Sequence, residues 1–156
     1  MLRVDIPGFG PLRIESVVLD FNGTLAIDGR LIPGVRDRLS RLARSVTVGV
    51  LTADTFGKAR SALRGLPCEV TILGRGAHDR AKAAHVRRLG AARCACIGNG
   101  RNDRLMLRAA ALAIVVLQAE GAASETLREA DIVIPDVRDA LDLLLEPRRM
   151  VATLRS

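Results

Sequence analysis

The chain is expected to fold as a three-layer α/β domain around a doubly wound parallel sheet. Two observations predict this, and a third is consistent with it. Short apolar runs alternate with stretches whose apolar residues recur at helical spacing, the pattern of successive strand–helix units. The run SVVLD at 16–20 has no polar alternation, as expected of a central strand covered by helices on both faces. Finally, 156 residues with 49% hydrophobic content suit one core, so residues 1–156 are expected to form a single domain.

Each element has its own signal. Two short extended runs around Pro7, Gly8, Gly10 and Pro11 predict an N-terminal β-hairpin that leads into the strand ending at Asp20. Pro33 and Gly34 open a helix over 35–43, and SVTVGVLT supplies a strand ending at Thr52. A helix over 56–66, a strand in CEVTIL and a helix over 79–89 follow. CACIG, LAIVVL and DIVI are the remaining strands, separated by helices over 102–110 and 122–130. The helix over 137–145 presents leucines at 141, 144 and 145, and Pro147 restarts a basic segment expected to dock on the domain or a partner. There is no internal repeat, low-complexity tract or linker.

Composition narrows the functional classes. A charged fraction of 26% beside this hydrophobic content argues against disorder. No run approaches the ~18 apolar residues of a membrane span, and the opening residues lack a secretory pattern, so a cytoplasmic protein without a membrane partner is expected. Cys68, Cys94 and Cys96 have no paired metal spacing and read as small core residues. The net charge of +7 invites a polyanionic partner. The arginines, however, are scattered from Arg3 to Arg155 and the only aromatics are Phe9, Phe21 and Phe56, so nucleic acid is disfavoured. Lys58 and Lys82 are the only lysines among 24 basic residues, which makes each more informative about a role for a compact ammonium.

In an open parallel sheet, ligands bind beyond the carboxyl ends of the strands. Asp20 and Thr52 end two strands, Lys82 opens a helix, and GNGRND (98–103) follows a fourth strand. Together they suit formation of an aspartyl phosphate. A carboxylate can attack phosphorus once both negative charges are offset. Mg²⁺ would supply most of that offset, held by Asp20, the backbone carbonyl of Asn22, and Asn99 or Asp103. Lys82, favoured over Lys58, would supply the rest. Gly23 would let the loop turn beside the phosphate, while Thr24, Thr52 and N–H groups such as that of Ala53 would donate to its oxygens. His78 and His85 read as surface residues, and Asp103 stands where a dinucleotide-binding loop would need its third glycine.

Asp20–Asn22–Gly23–Thr24, Thr52, Lys82 and 98–103 resemble, in order, the four motifs of the haloacid dehalogenase superfamily, over nearly the whole chain. Within it, LTAD and GNGRNDRLMLRAA are similar to segments of the phosphorylation domain of P-type ATPases, which makes Asp54 a candidate for the site's rim. The resemblance implies a Mg²⁺-dependent phosphohydrolase working through phospho-Asp20. Two departures matter. Asn22 replaces the aspartate that usually serves as acid and base, so turnover is expected to be slow, and Asn99 replaces a charged metal ligand by a neutral one. The alternative is a regulatory module that binds phosphate or nucleotide without turnover. Neither gap between motifs has room for a cap domain, so the site is expected to be open, with a homo-oligomer favoured over a macromolecular substrate as its cover.

Overall fold

The computed structural model describes every residue except Phe56. The N-terminal hairpin pairs β1 (Leu2–Ile6) with β2 (Gly10–Ile14), and β3 (Ser16–Asp20) follows with all five residues buried. A second, small hairpin pairs β4 (Ala26–Ile27) with β5 (Arg30–Leu31) before α1 (Val35–Leu42) and β6 (Thr47–Thr52). Then come α2 (Ala59–Ala62), β7 (Glu69–Ile72), α3 (His78–Arg88) and β8 (Cys94–Gly98). A 3-10 turn at Arg101–Asp103 leads into α4 (Arg104–Ala109) and β9 (Leu112–Val116). The chain closes with α5 (Ser124–Leu127), β10 (Ile132–Ile134), α6 (Val137–Leu145) and α7 (Arg148–Leu154).

Six strands make one parallel sheet in the order β10-β9-β8-β3-β6-β7. Side chains alternate between its faces with period two, and each face packs its own core. Val17, Leu19, Val48, Val50 and Ile97 join leucines of α1 and α6 on one side. Val18, Leu51, Cys94, Cys96, Met106 and Leu107 pack with Val86 of α3 on the other. This is the expected three-layer α/β architecture, with the two buried cysteines free and serving as core residues. α7 docks on β1 and α6 and buries Met150 completely.

Two expected helices are shorter than their sequence patterns. The helix expected over 56–66 contracts to α2, because Gly57 and Gly65 take left-handed φ values of 63° and 76° on either side. Its expected first residue, Phe56, lies outside the described residues. Asp54 caps the helix that remains, its carboxylate accepting from the N–H groups of Lys58 and Ala59 at 2.9 Å each. The helix expected over 122–130 is likewise reduced to α5. The β4–β5 hairpin was not anticipated. Asp28 and Gly29, at φ 51° and 73°, form its turn, the arrangement that two-residue hairpins favour.

Many arginines are engaged in surface ion pairs rather than gathered into one cluster. Arg38 bridges α1 to Asp142 of α6 at 2.9 Å, Arg93 meets Glu15 at 2.9 Å, and Arg101 and Arg104 share Glu125 at 3.3 and 3.5 Å. Among the described residues no helix is long and apolar enough to cross a membrane.

Candidate active site

From β3 the chain builds outward through β6 to β7, then returns to place β8 on the other side of β3. The carboxyl ends of β3 and β8 therefore flank the switch point of the sheet, where side chains can converge without crossing a strand. Asp20 is the last residue of β3 and Asn99 the first after β8, while α3 and the 3-10 turn bring in Lys82 and Asp103.

Lys82 Nζ donates to Asp20 Oδ1 at 2.5 Å and to Asp103 Oδ1 at 2.6 Å. Lys82 and Asp103 are fully buried and Asp20 is only 6% exposed. Burial is the largest influence on Asp20, and the charge of Asp103 adds to it. The Lys82 ion pair and the Phe21 N–H oppose both, leaving the carboxyl raised from 3.8 to about 7. Burial alone would lower the lysine, but its two carboxylate partners outweigh that and hold it above its ordinary value, firmly an ammonium. Replacing Lys82 by Met would leave two buried carboxylates facing each other without a cation. We expect Lys82→Met to cost about 3–5 kcal/mol in urea unfolding at neutral pH. A loss under about 1 kcal/mol, the scale of an exposed pair, would contradict the burial of this triad.

Asp103 is held from behind. Its Oδ2 accepts from the N–H groups of Asn99 at 3.0 Å and Gly100 at 2.9 Å. Gly98 makes room for it: a Cβ there would stand 2.5 Å from Asp103 Cγ. Gly23, at φ 77°, is tied to a close approach of the same kind, since a Cβ would come within 2.4 Å of Asn99 Nδ2. Gly23 is expected to turn the loop beside a phosphate and Thr24 to donate to it; in this structure both are engaged within the protein. Gly23 N–H donates to Ala26 O at 2.7 Å, and the buried Thr24 hydroxyl donates to Asn99 Oδ1 at 3.1 Å, so both are spent on shaping the loop.

Thr52, 1% exposed, lies one position beyond the residue paired with Asp20, and half-buried Ala53 follows it. Its Oγ1 accepts from Asp54 N at 2.9 Å, which leaves the hydroxyl proton for another acceptor. Asp54 itself serves as the cap of α2. Lys58 is exposed at the start of α2, and His78 and His85 are half-buried on α3. Asn22 is half-buried, yet its Oδ1 is sequestered and has no hydrogen-bond partner among the described residues.

Among the described residues no cluster of three or more His, Cys, Asp or Glu side chains forms. The candidate donors here are two carboxylates and amide oxygens, an all-oxygen set that suits a hard divalent cation such as Mg²⁺. The orphaned Asn22 Oδ1 fits such a site, because a buried acceptor without a donor calls for a cation, a water or a proton. Asp20, Asn99 and Asp103, with oxygen from Asn22, are the residues that could hold the ion.

One residue escaped the sequence reading. Gln118 Nε2 donates to Gly23 O at 3.0 Å and Thr24 O at 2.9 Å, while its Oε1 accepts from Val137 N at 2.9 Å. Its only sequence signal is a polar residue just past an apolar strand, the criterion that selected Asp20 and Thr52.

No family model matches the chain. In overall structure it is similar to 3-deoxy-D-manno-octulosonate 8-phosphate phosphatase from Moraxella catarrhalis, solved with magnesium, phosphate and KDO. The TM-score is 0.66 at 21% identity, covering 91% of this chain and 94% of that one. A putative HAD superfamily (subfamily III A) hydrolase from Legionella pneumophila gives 0.68 at 20% identity, covering 90% and 87%. The cobalt-bound deoxy-D-mannose-octulosonate 8-phosphate phosphatase from Haemophilus influenzae gives 0.68 at 18% identity, covering 92% and 94%. The fold is thus that of the haloacid dehalogenase (HAD) superfamily hydrolases. No cap is inserted: between β3 and α1 the described residues form only the β4–β5 hairpin, and between β6 and α3 only α2 and β7.

In sequence, the chain is 54% identical over 59 residues to uncharacterized protein MJ0073 of Methanocaldococcus jannaschii, a match that spans 38% of this chain and 63% of that protein. Uncharacterized protein MJ0072 of the same organism is 44% identical over 39 residues, 25% of this chain and 89% of that protein. The chain belongs to one family with MJ0072.

Proposed function

We propose that the chain is a Mg²⁺-dependent phosphohydrolase in which Asp20 is the nucleophile and an aspartyl phosphate is the intermediate. One observation carries this reading: a buried lysine held between two carboxylates at the sheet's switch point, in a fold shared with phosphatases. Mg²⁺, when bound, would offset the charge of the phosphoryl oxygens and of Asp20. An Asp20 carboxylate oxygen forms the new bond to phosphorus as the bond to the leaving oxygen breaks, and water later cleaves the acyl phosphate. Lys82 keeps its charge beside Asp20 and Asp103 and so lowers the cost of bringing a phosphate to the nucleophile. The Thr52 hydroxyl, and the Ala53 N–H beside it, are the candidate donors to the phosphoryl oxygens.

Asn22 carries no transferable proton, so leaving groups that require protonation depart slowly, as the resemblance to P-type ATPases implies. The same residue favours a second reading, a module that binds phosphate without turnover. The absence of a cap supports a homo-oligomer whose neighbouring subunit covers the site. A panel of phosphate esters and anhydrides, run with and without Mg²⁺ beside Asp20→Asn, separates the two functional readings. Metal-dependent turnover that vanishes in the variant supports the enzyme, and stoichiometric phosphate binding without turnover supports the module.

A further inference from the structure

We propose that Gln118 is a positioning residue for the nucleophile loop, an inference that rests on Asp20 being the nucleophile. Gln118 stands two residues past β9, at the carboxyl edge of the sheet where Asp20 ends β3. Both of its hydrogen bonds as donor run to consecutive carbonyls of the loop after Asp20, Gly23 O at 3.0 Å and Thr24 O at 2.9 Å. Its oxygen meets the N–H of Val137, the first residue of α6, at 2.9 Å, one of the donors that a helix start leaves unsatisfied. The side chain thereby ties the nucleophile loop to the end of a helix packed on the sheet.

The neighbouring residues of the same segment extend the brace. Glu120 Oε1 accepts from Asp28 N in the β4–β5 turn at 3.2 Å. Gly121 O accepts from Asn99 Nδ2 at 2.9 Å, and Ala123 N donates to Asn99 O at 2.9 Å. Asn99 in turn receives the Thr24 hydroxyl. The loop is tight within itself as well, because Phe21 O accepts from Leu25 N and Ala26 N at 2.9 Å each. A shift of the Gly23 and Thr24 carbonyls is therefore passed back to Asn22 and Asp20. Only a primary amide of this length supplies two donors and an acceptor at once. A carboxylate keeps the acceptor but loses both donors, and methionine loses all three.

The test compares Gln118→Glu and Gln118→Met with the wild type, measuring kcat and KM for para-nitrophenyl phosphate with Mg²⁺, the rate of phosphoryl transfer to Asp20 in a single turnover, and the folded fraction by urea unfolding. We expect kcat and the single-turnover rate to fall on the order of 10-fold or more in both variants, with KM changed less, since small misplacements of reacting groups are costly. A residue with a purely structural role would change only the folded fraction. Wild-type kcat in either variant, or a loss no larger than the loss of folded protein, overturns the proposal while leaving Asp20 as nucleophile. A wild type that neither turns over nor phosphorylates Asp20 overturns the underlying reading as well.

Discussion

Replacing Asp20 by Asn is expected to abolish phosphatase turnover and, at the same time, to make the protein more stable relative to wild type as pH rises. The first effect follows from chemistry, because an amide cannot form the phosphorylated intermediate, and the loss should reach the background of the assay. The second follows from burial. The Asp20 carboxyl is raised from 3.8 to about 7, so between those values the folded chain keeps a proton that the unfolded chain has released. Its contribution to stability is fully present below the unfolded value and is lost as pH rises through about 7. Above that, the fold carries a buried carboxylate that the variant lacks. Urea unfolding of both proteins at about pH 5 and about pH 8, without added metal, should show the stability difference moving in the variant's favour at the higher pH. Movement in the other direction would mean that the Lys82 ion pair outweighs burial and that Asp20 is an ordinary ionised carboxylate.

The second large effect runs in the opposite direction: Asn22→Asp should accelerate turnover. Asn22 sits two residues from Asp20, the proposed nucleophile, with its Oδ1 sequestered and without a partner among the described residues. A carboxyl in that place would be partly desolvated, which favours its protonated form and makes it a proton donor for the leaving oxygen. A positioned general acid is worth about 10²- to 10⁴-fold, and the gain should be largest for alkyl phosphates, whose leaving groups need a proton. Nitrophenyl phosphate, with a stable leaving anion, should gain much less. Equal gains on both substrates would point to altered binding, and no gain would mean that another group already supplies the proton.

These expectations draw on features that differ in how visible they were in the sequence. Strand β3 was legible because an unbroken apolar run ending in a lone aspartate fits a central strand that is buried on both faces and delivers one carboxylate to the sheet's edge. Lys82 stood out because lysine is rare here and because it falls in order with the other motifs, although it lies in the second turn of α3 and does not open that helix. The shared commitment of Gly23, Thr24 and Asn99 to one another was not legible, since it depends on how closely the loops after β3 and β8 approach. Gln118 belongs to no local pattern: its three partners lie 19 to 95 residues away and meet only once the sheet is assembled. The β4–β5 hairpin had a signal in Asp28–Gly29, but strands of two residues are too short to show alternation. The expected helix over 56–66 failed because helical spacing of apolar residues does not reveal that flanking glycines will take left-handed conformations.

The most direct test of the account is peptide mass spectrometry of protein quenched in acid during turnover of para-nitrophenyl phosphate with Mg²⁺. The account predicts one added phosphoryl group on the peptide containing Asp20, sensitive to hydroxylamine as an acyl phosphate is, and absent from Asp20→Asn. Mg²⁺-dependent turnover that persists in Asp20→Asn, or a phosphoryl group trapped on a different residue, would contradict it.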